Sequence, residues 1–350
     1  MKYLSRVSKN VNGSTSHWTF AREVSVWREI MKILVVGGSG FLGSHQVDSL
    51  MQQGHEVVVF DNLSTGNEKN LTQHVDNQKF TFLHKDILKN KKLLFREIGK
   101  CDRVYHFAAH ADVRSGQTDT SIDFEQNLVT TICILEGMRL SSKCKSLIFI
   151  SSSSVYGEPD KEHIPTKEDY LGVQTSLYGA SKLAGEQWVT SYSNYYGFKY
   201  WILRLVSQMG PRYSHGCIVD FLNKLKASNY KSIEILGNGR QKKSYLHVSD
   251  LISAINHATK DKCGIYNVGN DKTMTVGEVL TWVLDELYDL GAPIDMQDFK
   301  ITYAGGKRGW LGDSPNVLLD TYKLECLGWI PLISQEKAIK ETTRWVYEHG

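Results

Sequence analysis

Tyr178 and Lys182 stand four apart in Leu177-Tyr178-Gly179-Ala180-Ser181-Lys182. On a helix, residues at that spacing share one face, with Cβ atoms about 5–6 Å apart. A phenol and an ammonium could therefore serve one site. Free tyrosine has a pKa near about 10, so only about 0.1% is phenolate at pH 7. A neighbouring positive charge favours the ionised form. Bringing the phenol close to neutrality takes about 4 kcal/mol of differential stabilisation and yields a usable general base. Tyrosine and lysine also meet at this spacing by chance in many helices. The pair gains meaning from what precedes it.

Met31-Lys32-Ile33-Leu34-Val35-Val36 is apolar and β-branched, and reads as a buried parallel strand. It runs directly into Gly37-Gly38-Ser39-Gly40-Phe41-Leu42-Gly43. Small residues let the backbone turn tightly and approach a pyrophosphate. The helix expected from about Phe41 to Gln53 points its N-terminal amides at the phosphates. A second strand, Glu56 to Phe60, ends at Asp61 and Asn62. An acid there accepts hydrogen bonds from an adenosine ribose and repels a 2′-phosphate, which favours NAD over NADP. Asp86 and Ile87 follow a third strand. Asp86 either reaches the adenine or caps a helix.

Together these residues resemble the extended short-chain dehydrogenase/reductase family, and within it the NAD-dependent nucleotide-sugar epimerases and dehydratases, UDP-glucose 4-epimerases included. The similarity runs from Met31 to about Pro331. Gly37, Gly40 and Gly43 have the family's spacing, and Asp61-Asn62-Leu63-Ser64-Thr65-Gly66 resembles its NAD-specific second strand end. His106-Phe107-Ala108-Ala109 matches the segment beneath the nicotinamide-ribose side, and Ile150 to Gly157 the strand delivering a catalytic hydroxyl, here Ser152. Later landmarks are Gly237 to Gln241, Tyr245 to Asp250 and Tyr266 to Gly269. The resemblance implies Ser152, Tyr178 and Lys182 as catalytic residues. It places Asn127 as an anchor for a water or the lysine, with a buried structural amide as the alternative.

Similar 4,6-dehydratases carry Asp-Glu just after the catalytic hydroxyl, where this chain has Ser153 and Ser154. Related UDP-glucuronate decarboxylases carry Glu at the place of Ser154. Serines cannot supply that acid and base, whereas a 4-epimerase needs only hydroxyl, tyrosine and lysine. The resemblance therefore implies a nucleotide-diphosphate-sugar 4-epimerase, UDP-hexose foremost, acting through a transient 4-keto sugar. Net oxidoreduction, dehydration or decarboxylation, and a non-catalytic NAD binder are the alternatives. On the substrate side it implies Ser152, Ser153, Ser207 (where relatives have Asn), Lys243 (where an Arg would bind the diphosphate) and Arg308.

The fold expected is α/β, a Rossmann-type doubly wound parallel sheet with a smaller C-terminal α/β substrate lobe. Strand-like runs alternate with helices at Phe41–Gln53, Asp123–Leu140 and Leu177–Tyr195. Residues 31–206 with about 244–266 are assigned to the NAD-binding domain, and 207–243 with 267–350 to the substrate lobe. Residues 1–30 read as an extension: an added arm, an upstream start or a transit peptide.

At 350 residues, 41% hydrophobic and 23% charged, the chain can bury a sizeable core. A net charge of +3 gives no case for nucleic acid, and no apolar stretch reaches membrane-spanning length. Six scattered cysteines without a Cys-x-x-Cys read as free thiols in a reducing cytoplasm. His106 and His110 have a metal-like spacing but lie where a strand leaves the sheet, so no metal is expected. The helices Asp123–Leu140 and Leu177–Tyr195 carry apolar residues on more than one face, and the family resemblance implies a homodimer built on them.

Overall fold

The structure, a computed structural model, describes residues 29–350. Residues 1–28 of the expected extension lie outside that range.

Six parallel strands carry the first lobe: β1 (Lys32–Val36), β2 (Glu56–Asp61), β3 (Phe80–His84), β4 (Arg103–His106), β5 (Ser146–Ser152) and β6 (Lys199–Leu205). With the strand Gly264–Val268 they order as β3-β2-β1-β4-β5-β6 and then Gly264–Val268. Chain order reverses between β1 and β4, and ligands of such sheets bind in the crevice at that point.

Periodicity explains the layering. Ile33 and Val35 face one cluster with Val57, Val59 and Leu50. Leu34 and Val36 face another with Val58, Phe60, Ile134 and Phe149. Ile33, Leu34, Val35 and Val36 of β1 are all fully buried, as a central strand covered on both faces requires. The covering helices are α1 (Phe41–Gln52), α2 (Lys91–Ile98), α3 (Thr130–Leu140), α4 (Leu177–Tyr196) and α6 (Val248–Ala258), with α5 (Cys217–Ala227) outside this layer. The helix expected from Asp123 starts as a π-helical segment, Phe124–Val129, before α3.

The second lobe has its own core, in which Phe221, Ile233, Tyr245, Val279 and Ile339 meet. It draws on α5, α7 (Val276–Asp289) and, after the short α8 (Tyr322–Glu325), on α9 (Gln335–His349). Tyr245–His247, in the 244–266 stretch assigned to the NAD-binding domain, lies outside the large sheet and pairs with Ser207–Met209 as a separate two-stranded sheet. Three-residue strands carry too little periodicity to tell one sheet from another. The chain returns through α6 to Gly264–Val268. Leu319, Leu324 and Trp329, in the stretch assigned to the substrate lobe, pack into the first lobe's core.

Candidate active site

A cleft of about 690 Å³ opens between the lobes above the strand ends, lined by the glycine-rich loop, the β2 and β3 ends, Ser152 and Tyr178. Its floor is set by glycines. A Cβ on Gly37, whose φ is +79°, would stand 2.4 Å from the amide nitrogen of Ala108. One on Gly43 would stand 2.1 Å from the carbonyl oxygen of Gly37. At Gly40 the nearest atom would be 3.5 Å away, so the loop is tight against the fold yet open at its crest. Asp61 accepts the Ser39 amide at 2.9 Å and the Leu63 amide at 2.8 Å, locking the loop to β2. Each carboxylate oxygen keeps a further lone pair for a ribose hydroxyl. Phe41, Leu42, Asn62, Ile87, Phe107, Ala108 and Ala109 line the same cleft. These residues fit a dinucleotide.

Asp86 closes a turn and caps no helix, since α2 begins at Lys91 after Asn90. One oxygen accepts the Leu88 amide at 2.8 Å and the Lys89 amide at 3.2 Å, while the other takes the Asn62 side chain at 3.0 Å. It still borders the cleft. Asn127 does not: its amide donates to Ser181 Oγ at 3.0 Å and Asp123 at 3.1 Å and accepts the His110 amide at 2.8 Å. Every polar atom of this buried side chain is held by protein, so the structural-amide alternative describes it. It ties the loop after β4 to the tyrosine helix.

Ser176 caps α4 by accepting the Gly179 amide, and Gly197 ends the helix in the left-handed region. Tyr178 thus sits in the first turn, half-buried, beside Ser152 at the end of β5. Burial and then the Asp123 carboxylate push the Tyr178 phenol up to about 12, while a hydrogen bond with Ser152 pulls it down. The expected lowering by Lys182 is not what the protein supplies. The Lys182 ammonium donates to the Ile150 carbonyl at 2.9 Å and lies 5.9 Å from the centre of the Tyr178 ring. Burial brings it down to about 8, against the pull of Glu186 and Asp123.

Several sequence landmarks meet beneath this site. Arg204 pairs with Glu186 at 2.6 Å and donates to Tyr156 Oη at 2.9 Å; Tyr156 donates to Asn267 at 2.7 Å. A satisfied buried network of this kind rigidifies its surroundings. His106 is buried, donates to or accepts from Thr131 at 2.9 Å, and is driven by burial to about 3. It is a neutral core imidazole.

Ser153, next to Ser152, lines the cleft, as do Ser207 and Lys243 from the second lobe. Lys243 is already paired with Asp313. Arg308, expected at the diphosphate, does not line it: its guanidinium engages Glu158 and the Asp313 carbonyl. The stretched Arg308-Gly309-Trp310-Leu311-Gly312-Asp313 turn aims the arginine outward and brings Trp310 to the cleft instead. The sequence reading missed Asp112, Arg114, His215 and Asp220, which also line it. The signal was there for two of them, since Asp112 and Arg114 follow β4 where doubly wound sheets bind ligands.

The family model described as NAD dependent epimerase/dehydratase family matches residues 33–269. A UDP-glucose 4-epimerase of Mycolicibacterium smegmatis is 31% identical over 322 residues, covering 90% of this chain and 98% of the relative. UDP-glucuronic acid decarboxylase 1 of Arabidopsis thaliana is 30% identical over 284 residues, 78% of this chain and 62% of the relative. Among solved structures, a UDP-galactose 4-epimerase superposes with a TM-score of 0.77 at 34% identity, covering 91% of this chain and 99% of that one.

Proposed function

The chain belongs to the NAD-dependent epimerase/dehydratase family, and from that premise we propose that it is a nucleotide-diphosphate-sugar 4-epimerase acting on a UDP-hexose. One observation carries the reading: Ser152 and Tyr178 converge in the cleft beside Ser153 and Ser154, with no carboxylic acid in the two places following the hydroxyl. Dehydration and decarboxylation need an acid or base there that serine cannot provide at neutral pH.

Tyr178, once ionised, takes the proton of the sugar C4 hydroxyl, and Ser152 hydrogen-bonds the same oxygen. NAD, when bound, supplies the hydride acceptor and donor and a positively charged ring. Gly37 to Gly43, Asp61 and Asn62 hold that group, and Lys182 fixes the strand end through Ile150. The 4-keto sugar then turns within the cleft, and Tyr178 returns the proton to the C4 oxygen of the inverted sugar. Position and charge are the protein's contribution.

The same reading takes residues 31–206 with about 244–266 as the cofactor domain and 207–243 with 267–350 as the substrate lobe, except that Val268, Leu319, Leu324 and Trp329 pack into the cofactor domain's core. It includes a homodimer across α3 and α4, supported by Trp188, Tyr195 and Tyr196 exposed on α4. A cytoplasmic location suits the six free thiols. Among the described residues no helix is long and apolar enough to cross a membrane.

The test is incubation with UDP-, GDP-, CDP- and dTDP-hexoses followed by mass and NMR of the products. A product of unchanged mass inverted at C4 supports the reading; loss of water or carbon dioxide, or stoichiometric reduction of NAD, refutes it.

A further inference from the structure

We propose that Asp112, Arg114 and Asp220 form the sugar-recognition wall of the cleft and select an uncharged hexose over a hexuronate, an inference that rests on the nucleotide-sugar reading above. Arg114 joins the lobes. Its Nε donates to Asp112 Oδ1 at 3.1 Å, its Nη2 to Asp112 Oδ2 at 3.3 Å and its Nη1 to Asp220 Oδ2 at 2.8 Å. Asp112 and Arg114 lie on the loop after β4, and Asp220 is in the first turn of α5.

Asp112 and Tyr178 each lie close enough to Asp123 to interact with it electrostatically. All three residues of the wall line the cleft together with Ser152 and Tyr178. The loop carrying Asp112 is bound to the tyrosine helix through His110, Asn127 and Ser181.

The formal charge of the trio is one negative, because a single guanidinium is shared by two carboxylates. Lys224 also lines the cleft and keeps its charge, but its ammonium donates to the Glu234 carbonyl at 2.7 Å rather than to either aspartate of the trio. Burial, against the pull of Asp112, lowers the His215 imidazole from its ordinary range. Behind the loop lies Asp123, whose Oδ2 has no hydrogen-bond partner among the described residues and whose pKa burial raises. Carboxylate oxygens only accept, and they match the hydroxyl donors of a neutral sugar. The carboxylate of a uronate would meet like charge, which is a strong basis for rejection. The Arabidopsis relative, by its name, acts on UDP-glucuronic acid.

The experiment is calorimetric titration of the full NAD-loaded chain with UDP-glucose, UDP-galactose and UDP-glucuronate, repeated for Asp112→Asn and Asp220→Asn. Both aspartates are partly exposed and the changes are isosteric, and thermal melts verify folding. The wild type is expected to bind a hexose about 100-fold tighter than the uronate, and each Asn variant to narrow that ratio about tenfold by tightening uronate binding. Equal wild-type affinities, or a ratio that neither variant moves, overturn this inference and leave the epimerase reading standing. Failure of every nucleotide sugar to bind overturns both.

Discussion

Lys182 lies 5.9 Å from the centre of the Tyr178 ring, yet its ammonium donates to the main-chain carbonyl of Ile150. Lysine therefore anchors the end of β5, and the protein alone holds the tyrosine as a neutral phenol near 12. The remaining positive charge that can ionise it arrives with the oxidised cofactor.

Tyr178 should accordingly titrate near 12 in the cofactor-free chain and lower when NAD⁺ is added. Ultraviolet phenolate absorbance, wild type minus Tyr178→Phe, reads this directly. An equally low value without NAD⁺ would show that protein groups suffice.

Tyr178→Phe should lower kcat by about 10²- to 10⁴-fold, the usual worth of a positioned acid–base group, with nucleotide-sugar affinity little changed. Turnover within a few fold of wild type removes Tyr178 from the base role.

Burial of Lys182 leaves a signature in stability. Its pKa falls from the ordinary 10.5 to about 8 in the fold. Between those values the unfolded chain keeps the proton and the folded chain releases it, so stability rises with pH across that window. The gain is on the order of 3 kcal/mol relative to Lys182→Met. Urea unfolding of both proteins on either side of the window measures it, and a flat difference contradicts the buried-ammonium assignment.

Asp61→Asn should weaken NAD by about tenfold and narrow the preference over NADP, since it removes the charge that repels a 2′-phosphate. Fluorescence titration with both dinucleotides checks it. An unchanged preference moves the ribose contact away from Asp61.

The features legible in the sequence were local ones. Gly37, Gly40 and Gly43 precede a helix and follow a strand, Asp61 ends the next strand, and Ser152 and Tyr178 sit at recognisable strand and helix termini. Spacing encodes the glycine loop, Asp61 and the Tyr178–Lys182 pair, whereas Ser152 followed from the family resemblance. What spacing cannot encode is the partner chosen across the fold. Arg308 turned to Glu158, Asn127 became a strut between His110 and Ser181, and Lys182 took a backbone carbonyl. Arg114 and Asp220 are 106 residues apart and meet only in the folded chain. Tyr245–His247 misled for a related reason, because so short a strand pairs by tertiary position rather than pattern.

The most direct test of the central claim is to give the purified chain UDP-galactose and UDP-glucose separately, with catalytic NAD⁺, and follow C4 by NMR. The account predicts that both reach the same mixture of the two sugars with no change of mass and no accumulated NADH. A dehydrated, decarboxylated or oxidised product, or unchanged substrate alongside measurable binding, would contradict it.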